Sequence, residues 1–199
     1  MSVKKRHALS DDFTCRPRGR QVKLCGMTTP ADLPADTPAD IAADTRPDWD
    51  TYFMDIARVV SSRGNCSRRK VGAVIVSDRR IISTGYNGTP RGIRNCCEGG
   101  CARCASGAPS GSALDACVCS HAEENAIAQA AYHGVRTKDA TIYVTISPCL
   151  TCAKMIINAG IRNVIYGGDY AFTEQTRALF AEAGIVCRRH APPGPVPEG

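Results

Sequence analysis

No stretch of this sequence approaches the roughly 20 consecutive apolar residues that a helix needs to cross a bilayer. The basic start, Met1 to Arg6, is not followed by an apolar run, so a secretory leader is not expected, and Asp11 and Asp12 speak against a transit peptide. The expected compartment is the cytoplasm, with no membrane partner. Aromatic residues are scarce, at 6% of the chain, and they do not interleave with a basic stripe. An extended stacking surface for nucleic acid is therefore not expected. The net charge of +6 suits a nucleotide phosphate as well as it suits a polynucleotide, and assigns neither.

Apolar residues are sufficient for a real core, at 43% of 199 residues, and the length fits one domain with tails. Residues 1–47 carry the near-repeat Thr29-Pro30-Ala31-Asp32, Pro34-Ala35-Asp36, Thr37-Pro38-Ala39-Asp40 and no apolar periodicity. Such a segment cannot bury enough surface to offset its ordering entropy, so a disordered tail is expected, with Cys15 and Cys25 idle inside it. The proline-rich end, residues 191–199, reads as a second tail. The folded domain is expected at residues 48–190.

Twelve cysteines in a reducing compartment are thiols available to metal rather than disulfides. Two stretches organise them: Ser120-His121-Ala122-Glu123-Glu124-Asn125-Ala126-Ile127, and Ser147-Pro148-Cys149-Leu150-Thr151-Cys152. One histidine and two thiolates, His121, Cys149 and Cys152, give the three N/S ligands of a catalytic zinc that keeps a fourth position for water. Glu123, two residues after His121, can approach that position without being a ligand. A lone C-x-x-C or a lone helical histidine is weak, but H-x-E followed by P-C-x-x-C is the signature of zinc-dependent nucleobase deaminases. A closed structural zinc site would need no such glutamate.

Periodicity predicts a helix capped by Asp48, carrying Trp49, Tyr52, Phe53, Ile56, Val59 and Val60, and stopping near Gly64. Strands over 71–76 and 80–84 form a hairpin through Asp78-Arg79-Arg80, and Gly85 to Pro90 leaves as a loop. A helix capped by Ser120 ends at Gly134. A strand over 142–146 is followed by a helix over 149–159 with Pro148 at its first position. A strand over 164–166, a helix over 173–183 and a strand over 185–188 complete the domain. Strands alternating with helices imply parallel neighbours and a sheet covered on both faces. Both metal half-sites then fall at helix N-termini, where the dipole favours thiolates.

From about Trp49 to Arg188 the chain resembles the deoxycytidylate (dCMP) deaminases of the cytidine and deoxycytidylate deaminase superfamily. The resemblance is carried by Tyr52-Phe53-Met54, Val71-Gly72-Ala73, Gly85-Tyr86-Asn87-Gly88, His121-Ala122-Glu123 with Asn125-Ala126-Ile127, Tyr143-Val144-Thr145, and Pro148-Cys149 with Cys152. It implies an α/β domain, the three-layer α/β/α cytidine-deaminase-like fold with a five-stranded mixed sheet. It further implies zinc at His121, Cys149 and Cys152, and hydrolysis of dCMP to dUMP and ammonia, which feeds thymidylate synthesis. Glu123 would carry a proton from the attacking water to N3 of the pyrimidine and then to the departing amine. Asn87 resembles the asparagine that holds substrate, the alternative being a turn residue tolerant of left-handed geometry beside Gly88. Glu124 reads as a solvated or capping carboxylate. Homo-oligomers, commonly hexamers, activated by dCTP and inhibited by dTTP, are implied as well. The alternatives are a deaminase of another cytosine or adenine compound, tRNA adenosine included, and a non-catalytic zinc-stabilised nucleotide-binding module. The intact Glu123 weighs against the last.

Residues 95–119 form a cysteine-rich insertion: Cys96-Cys97-Glu98-Gly99-Gly100-Cys101-Ala102-Arg103-Cys104, a Ser/Gly/Ala loop, then Cys117-Val118-Cys119. A loop this long and small-residued would be floppy unless tied down. Its thiol spacing suits zinc, and Cys66 is a further candidate ligand. Here the resemblance is to dCMP deaminases that carry an extra structural zinc, especially the fungal-type pattern N-C-x-x-G-G-C-x-R-C. Cys66, Cys96, Cys101, Cys104, Cys117 and Cys119 exceed the four thiolates that one zinc needs. Either two metals share thiolates, or two cysteines are spectators; inert or disulfide-linked cysteines are the remaining alternative. More than one zinc per chain is expected.

Overall fold

The computed structural model describes residues 46–170 and 173–191. The two expected tails, with Cys15 and Cys25, lie outside the described residues apart from Arg46, Pro47 and Ala191. No helix among the described residues is long and apolar enough to cross a membrane.

Helix α1, Trp49–Ser61, begins where the sequence places its cap: the Asp48 carboxylate accepts the N–H groups of Asp50 and Thr51 at 2.9 and 3.0 Å. Its apolar side, Phe53, Met54 and Ala57, packs on Val74, Val76, Tyr143 and Ile165. Asp50 then ties the helix to the sheet, accepting the Tyr143 hydroxyl at 2.8 Å and pairing with Arg188. Strand β1, Gly72–Ser77, turns into β2, Arg80–Tyr86, through Asp78 and Arg79, both in the left-handed region at φ 50° and 59°. That is the hand a two-residue hairpin turn requires.

Three short pieces follow in the insertion: a 3-10 turn Cys96–Glu98, helix α2, Ala102–Ala105, and a 3-10 turn Leu114–Ala116. The rest of the domain is α3, Ala122–Tyr132; β3, Thr141–Val144; α4, Leu150–Asn158; β4, Asn163–Tyr166; α5, Thr173–Glu182; and β5, Val186–Arg189. The five strands lie in the order β2-β1-β3-β4-β5. Parallel pairing holds from β3 to β5, while β1 is antiparallel to both β2 and β3. The sheet is mixed, and its two faces are both covered. Alternate residues of β1 show this: Val74 and Val76 face α1, whereas Ala73 and Ile75 join Ala122 and Ala126 of α3, Ala153 and Ile156 of α4, and Phe180 of α5. Buried on both sides, β1 is apolar from Ala73 to Val76.

Strand ends fall within one or two residues of the expected ones, and the starts of the two helices at the metal half-sites differ in kind. Ser120 is not the cap of α3. It pairs with Gly88, each residue donating its N–H to the other's carbonyl at 2.9 and 3.1 Å, and so it stays extended. The cap is His121, whose N–H is accepted by the Glu124 carboxylate at 2.7 Å, the returning half of a capping box. Pro148 is likewise outside α4, because Cys149 is the N-cap, with extended φ/ψ of −76° and 170°, and Leu150 is the first helical residue.

Gly85 of β2 sets how closely α3 approaches the sheet. A Cβ there would lie 2.2 Å from the Ala122 carbonyl oxygen and 2.3 Å from the Ala126 nitrogen. Both obstacles are helix backbone and cannot rotate away. Gly85→Ala is therefore expected to destabilise the domain by about 3 kcal/mol, lowering the melting temperature by about 6–12 °C in a thermal unfolding scan. A shift under 2 °C would show that α3 can move off the sheet freely.

Candidate metal centre and active site

The N-termini of α3 and α4 converge, and with them the three residues that the two motifs single out. His121 Nδ1 lies 3.3 Å from Cys152 Sγ and 3.4 Å from Cys149 Sγ, and the three donor atoms all fall within 4.8 Å of one another. A tetrahedral zinc about 2.1 Å from nitrogen and 2.3 Å from sulfur separates those ligands by about 3.6 Å. The spacing fits the ion. So does the chemistry of the set. The Cys149 thiol drops to about 4, because Cys152 and His121 both hydrogen-bond to its thiolate. His121 rises to about 9 beside that thiolate, and Cys152, donating to Cys149 from a buried position, is held above its ordinary range. A dication bound by this set would displace the protons of its thiols.

Glu123 is in the first turn of α3, 4% exposed, and burial raises its carboxyl to about 7. A carboxyl in that range can both take and give a proton near neutral pH. Glu123, His121 and Cys149 line one cavity of about 850 Å³, counting the space at its mouth.

Asn87, 7% exposed, lines the same cavity. Its Oδ1 accepts the Val71 N–H at 2.8 Å and its Nδ2 donates to the Arg69 carbonyl at 2.8 Å. One amide hydrogen and one lone pair are then left over for a ligand. Gly88, beside it, leaves room for the Asn65 amide: a Cβ would lie 2.4 Å from Asn65 Oδ1 and displace that side chain. Asn65 in turn joins this loop to the insertion, accepting the Thr89 N–H at 3.1 Å, donating to Asn95 Oδ1 at 2.8 Å and receiving the Cys97 N–H on its carbonyl at 3.0 Å.

The cavity also gathers three arginines, of which only Arg103 falls in a quoted pattern, C-x-R-C. Arg68, Arg69 and Arg103 line it, giving a location to part of the surplus positive charge. Arg69 stacks on Tyr170 at 5.5 Å, and the Tyr170 N–H is held by Ser147 Oγ at 2.8 Å. Arg103 donates to the carbonyls of Pro109 and Ser112, and Arg68 to that of Ala108, so both fasten the small-residue loop. The available sequence signal was their neighbourhood: Arg68 and Arg69 follow Cys66, and Arg103 precedes Cys104.

The six candidate cysteines of the second site come together in one cluster: Cys96, Cys101, Cys104 and Cys119 buried, Cys66 and Cys117 packed against them, all as free thiols. Cys97 stays exposed and apart.

A family model described as the cytidine and deoxycytidylate deaminase zinc-binding region matches residues 47–168. The chain is 47% identical over 148 residues to deoxycytidylate deaminase of Schizosaccharomyces pombe, covering 74% of this chain and 46% of that protein. It is 46% identical over 144 residues to deoxycytidylate deaminase of Saccharomyces cerevisiae, covering 72% and 45%. It thus spans less than half the length of these two relatives. Among solved structures, dCMP deaminase from the cyanophage S-TIM5 in complex with dCMP and dUMP is similar, with a TM-score of 0.60 and 30% identity, covering 73% of this chain and 98% of that one.

Proposed function

The chain belongs to the cytidine and deoxycytidylate deaminase family, and from that premise we propose that it hydrolyses dCMP to dUMP and ammonia. The observation that carries the proposal is the buried Glu123 carboxyl sharing one cavity with His121 and Cys149. His121, Cys149 and Cys152 would hold the zinc, which when bound would supply a water acidified to a pKa of about 7. Glu123 takes a proton from the attacking water and gives it to N3 of the pyrimidine, making C4 electrophilic. Oxygen bonds to C4, Glu123 then takes the second proton from that oxygen and passes it to the amine, and the C4–N4 bond breaks to release ammonia and leave the C4 carbonyl of dUMP. Asn87, with its backbone ties fixing the amide, offers its remaining hydrogen and lone pair to a sugar hydroxyl.

Arg68, Arg69 and Arg103 favour a phosphorylated substrate over a free nucleoside, since guanidinium groups pair with phosphate oxygens. Residues 48–190 are the deaminase domain in this reading, acting in the cytoplasm, with structural zinc in the 95–119 insertion. The exposed Trp49, Tyr52, Tyr86 and Tyr132 are available for contacts in a homo-oligomer, which the resemblance puts at a hexamer under dCTP and dTTP control. Ammonia release measured in parallel from dCMP, dCTP, cytidine and adenosine should be fastest with dCMP. Turnover of another of these with dCMP untouched would overturn the reading.

A further inference from the structure

The geometry points to a two-zinc, six-thiolate centre in the insertion, in which Cys104 and Cys119 bridge the two ions. This goes beyond the deaminase reading and does not depend on the substrate. The sulfurs fall into two sets of four, Cys66, Cys96, Cys104, Cys119 and Cys101, Cys104, Cys117, Cys119, and within each set all four lie within 4.8 Å of one another. Cys104 is the hub. Its Sγ lies 3.9 Å from Cys66, 3.9 Å from Cys117 and 4.0 Å from Cys119, while Cys101 and Cys117 are 3.9 Å apart.

These separations decide among the alternatives. A disulfide needs sulfurs about 2.0 Å apart. Two thiolates on one tetrahedral zinc, each about 2.3 Å from it, stand about 3.8 Å apart. The measured values match the second. A single ion would use one set of four and leave either Cys66 with Cys96 or Cys101 with Cys117 idle, though Cys101 is fully buried and Cys96 is 4% exposed. Two ions with two shared sulfurs employ all six and, of the insertion's cysteines, omit only Cys97, which stays exposed. All-thiolate tetrahedral sites select soft or borderline metals, and zinc among them needs no redox partner. Cys96 has outer support as well, since its sulfur receives the Ser67 N–H at 3.4 Å.

The centre stitches three separate segments: the Cys66 loop between α1 and β1, the run from Cys96 to Cys104, and Cys117 to Cys119. Four of its sulfurs, those of Cys66, Cys104, Cys117 and Cys119, line the same cavity as His121 and Glu123. It therefore forms a wall of the substrate cavity as well as a staple.

Native mass spectrometry of the full chain should find three zinc ions per chain, two here and one at His121, Cys149 and Cys152; one or two would overturn the proposal. In cadmium-113 exchanged protein, two all-thiolate resonances are expected beside a third from the histidine site. Cys101→Ser should perturb one all-thiolate resonance and Cys104→Ser both. A single all-thiolate resonance, or two left unchanged in Cys101→Ser, would reduce the centre to one ion. Should Cys104→Ser fail to fold, alkylation of the native wild-type protein still decides. Cys97 should react and the six cluster thiols resist together; early modification of either Cys66 with Cys96 or Cys101 with Cys117 would mark that pair as spectators and overturn the bridge.

Discussion

Glu123→Gln should keep the full zinc content and lose about 10²- to 10⁴-fold in kcat for dCMP, the usual contribution of a positioned general acid and base. The substitution is nearly isosteric, and it leaves His121, Cys149 and Cys152 untouched, so the metal has no reason to leave. What the amide cannot do is accept a proton at one step and release it at the next. KM should change far less than kcat, because the lost interaction belongs to the transition state rather than to substrate binding. Stability supplies an independent check. Glu123 is 4% exposed, and an ionised carboxylate that deep is costly, whereas a neutral amide is less so. The melting temperature should therefore hold or rise. Near-normal kcat in a zinc-replete variant would refute the proton-shuttle role, and a large fall in melting temperature would recast Glu123 as structural.

The fold was legible in the sequence wherever one local rule acted alone. Asp48 could be recognised as a cap because a carboxylate before an amphipathic run satisfies orphan N–H groups in one way. Ser120 looked like the same device and was not. Its backbone is claimed by Gly88, a partner 32 positions earlier that local capping rules cannot see, and Glu124 reaches back to His121 instead. Pro148 stands two positions before the first helical residue for a similar reason: Cys149 remains extended as the cap, with its sulfur beside His121. The mixed sheet needed the resemblance, because alternation of strands and helices alone suggests parallel neighbours, and β1 meets β3 antiparallel.

The candidate site divides along the same line. His121, Cys149, Cys152 and Glu123 follow from spacing, since helix N-termini deliver ligands at fixed offsets. Arg68 and Arg69 do not, because a cation's spacing carries no signature until the loops bring both to one cavity with Arg103. The insertion's cysteines could be counted but not partitioned. Which thiols are shared is a statement about distances among three segments, and only the folded chain contains it.

His121→Ala should strip one zinc per chain, from three to two, and reduce dCMP turnover to background, while the insertion keeps its metal. His121 Nδ1 is one of three donors within 4.8 Å, and with it gone two thiolates hold the ion alone. Affinity should fall by more than the roughly 10- to 100-fold typical of losing an outer-shell partner. The fold should survive, because the cap of α3 rests on the backbone N–H of residue 121 and the Glu124 carboxylate, and alanine retains that N–H. Glu124→Ala is the complementary variant. It removes the carboxylate that returns to residue 121 and should cost about 1 kcal/mol, as lost N-terminal caps do, with zinc retained. Metal analysis of the two proteins side by side separates coordination from capping at one position of the chain. Should His121→Ala keep three zinc ions and its turnover, the ion at the head of α3 is held by other residues; should it lose all three, the two centres are not independent.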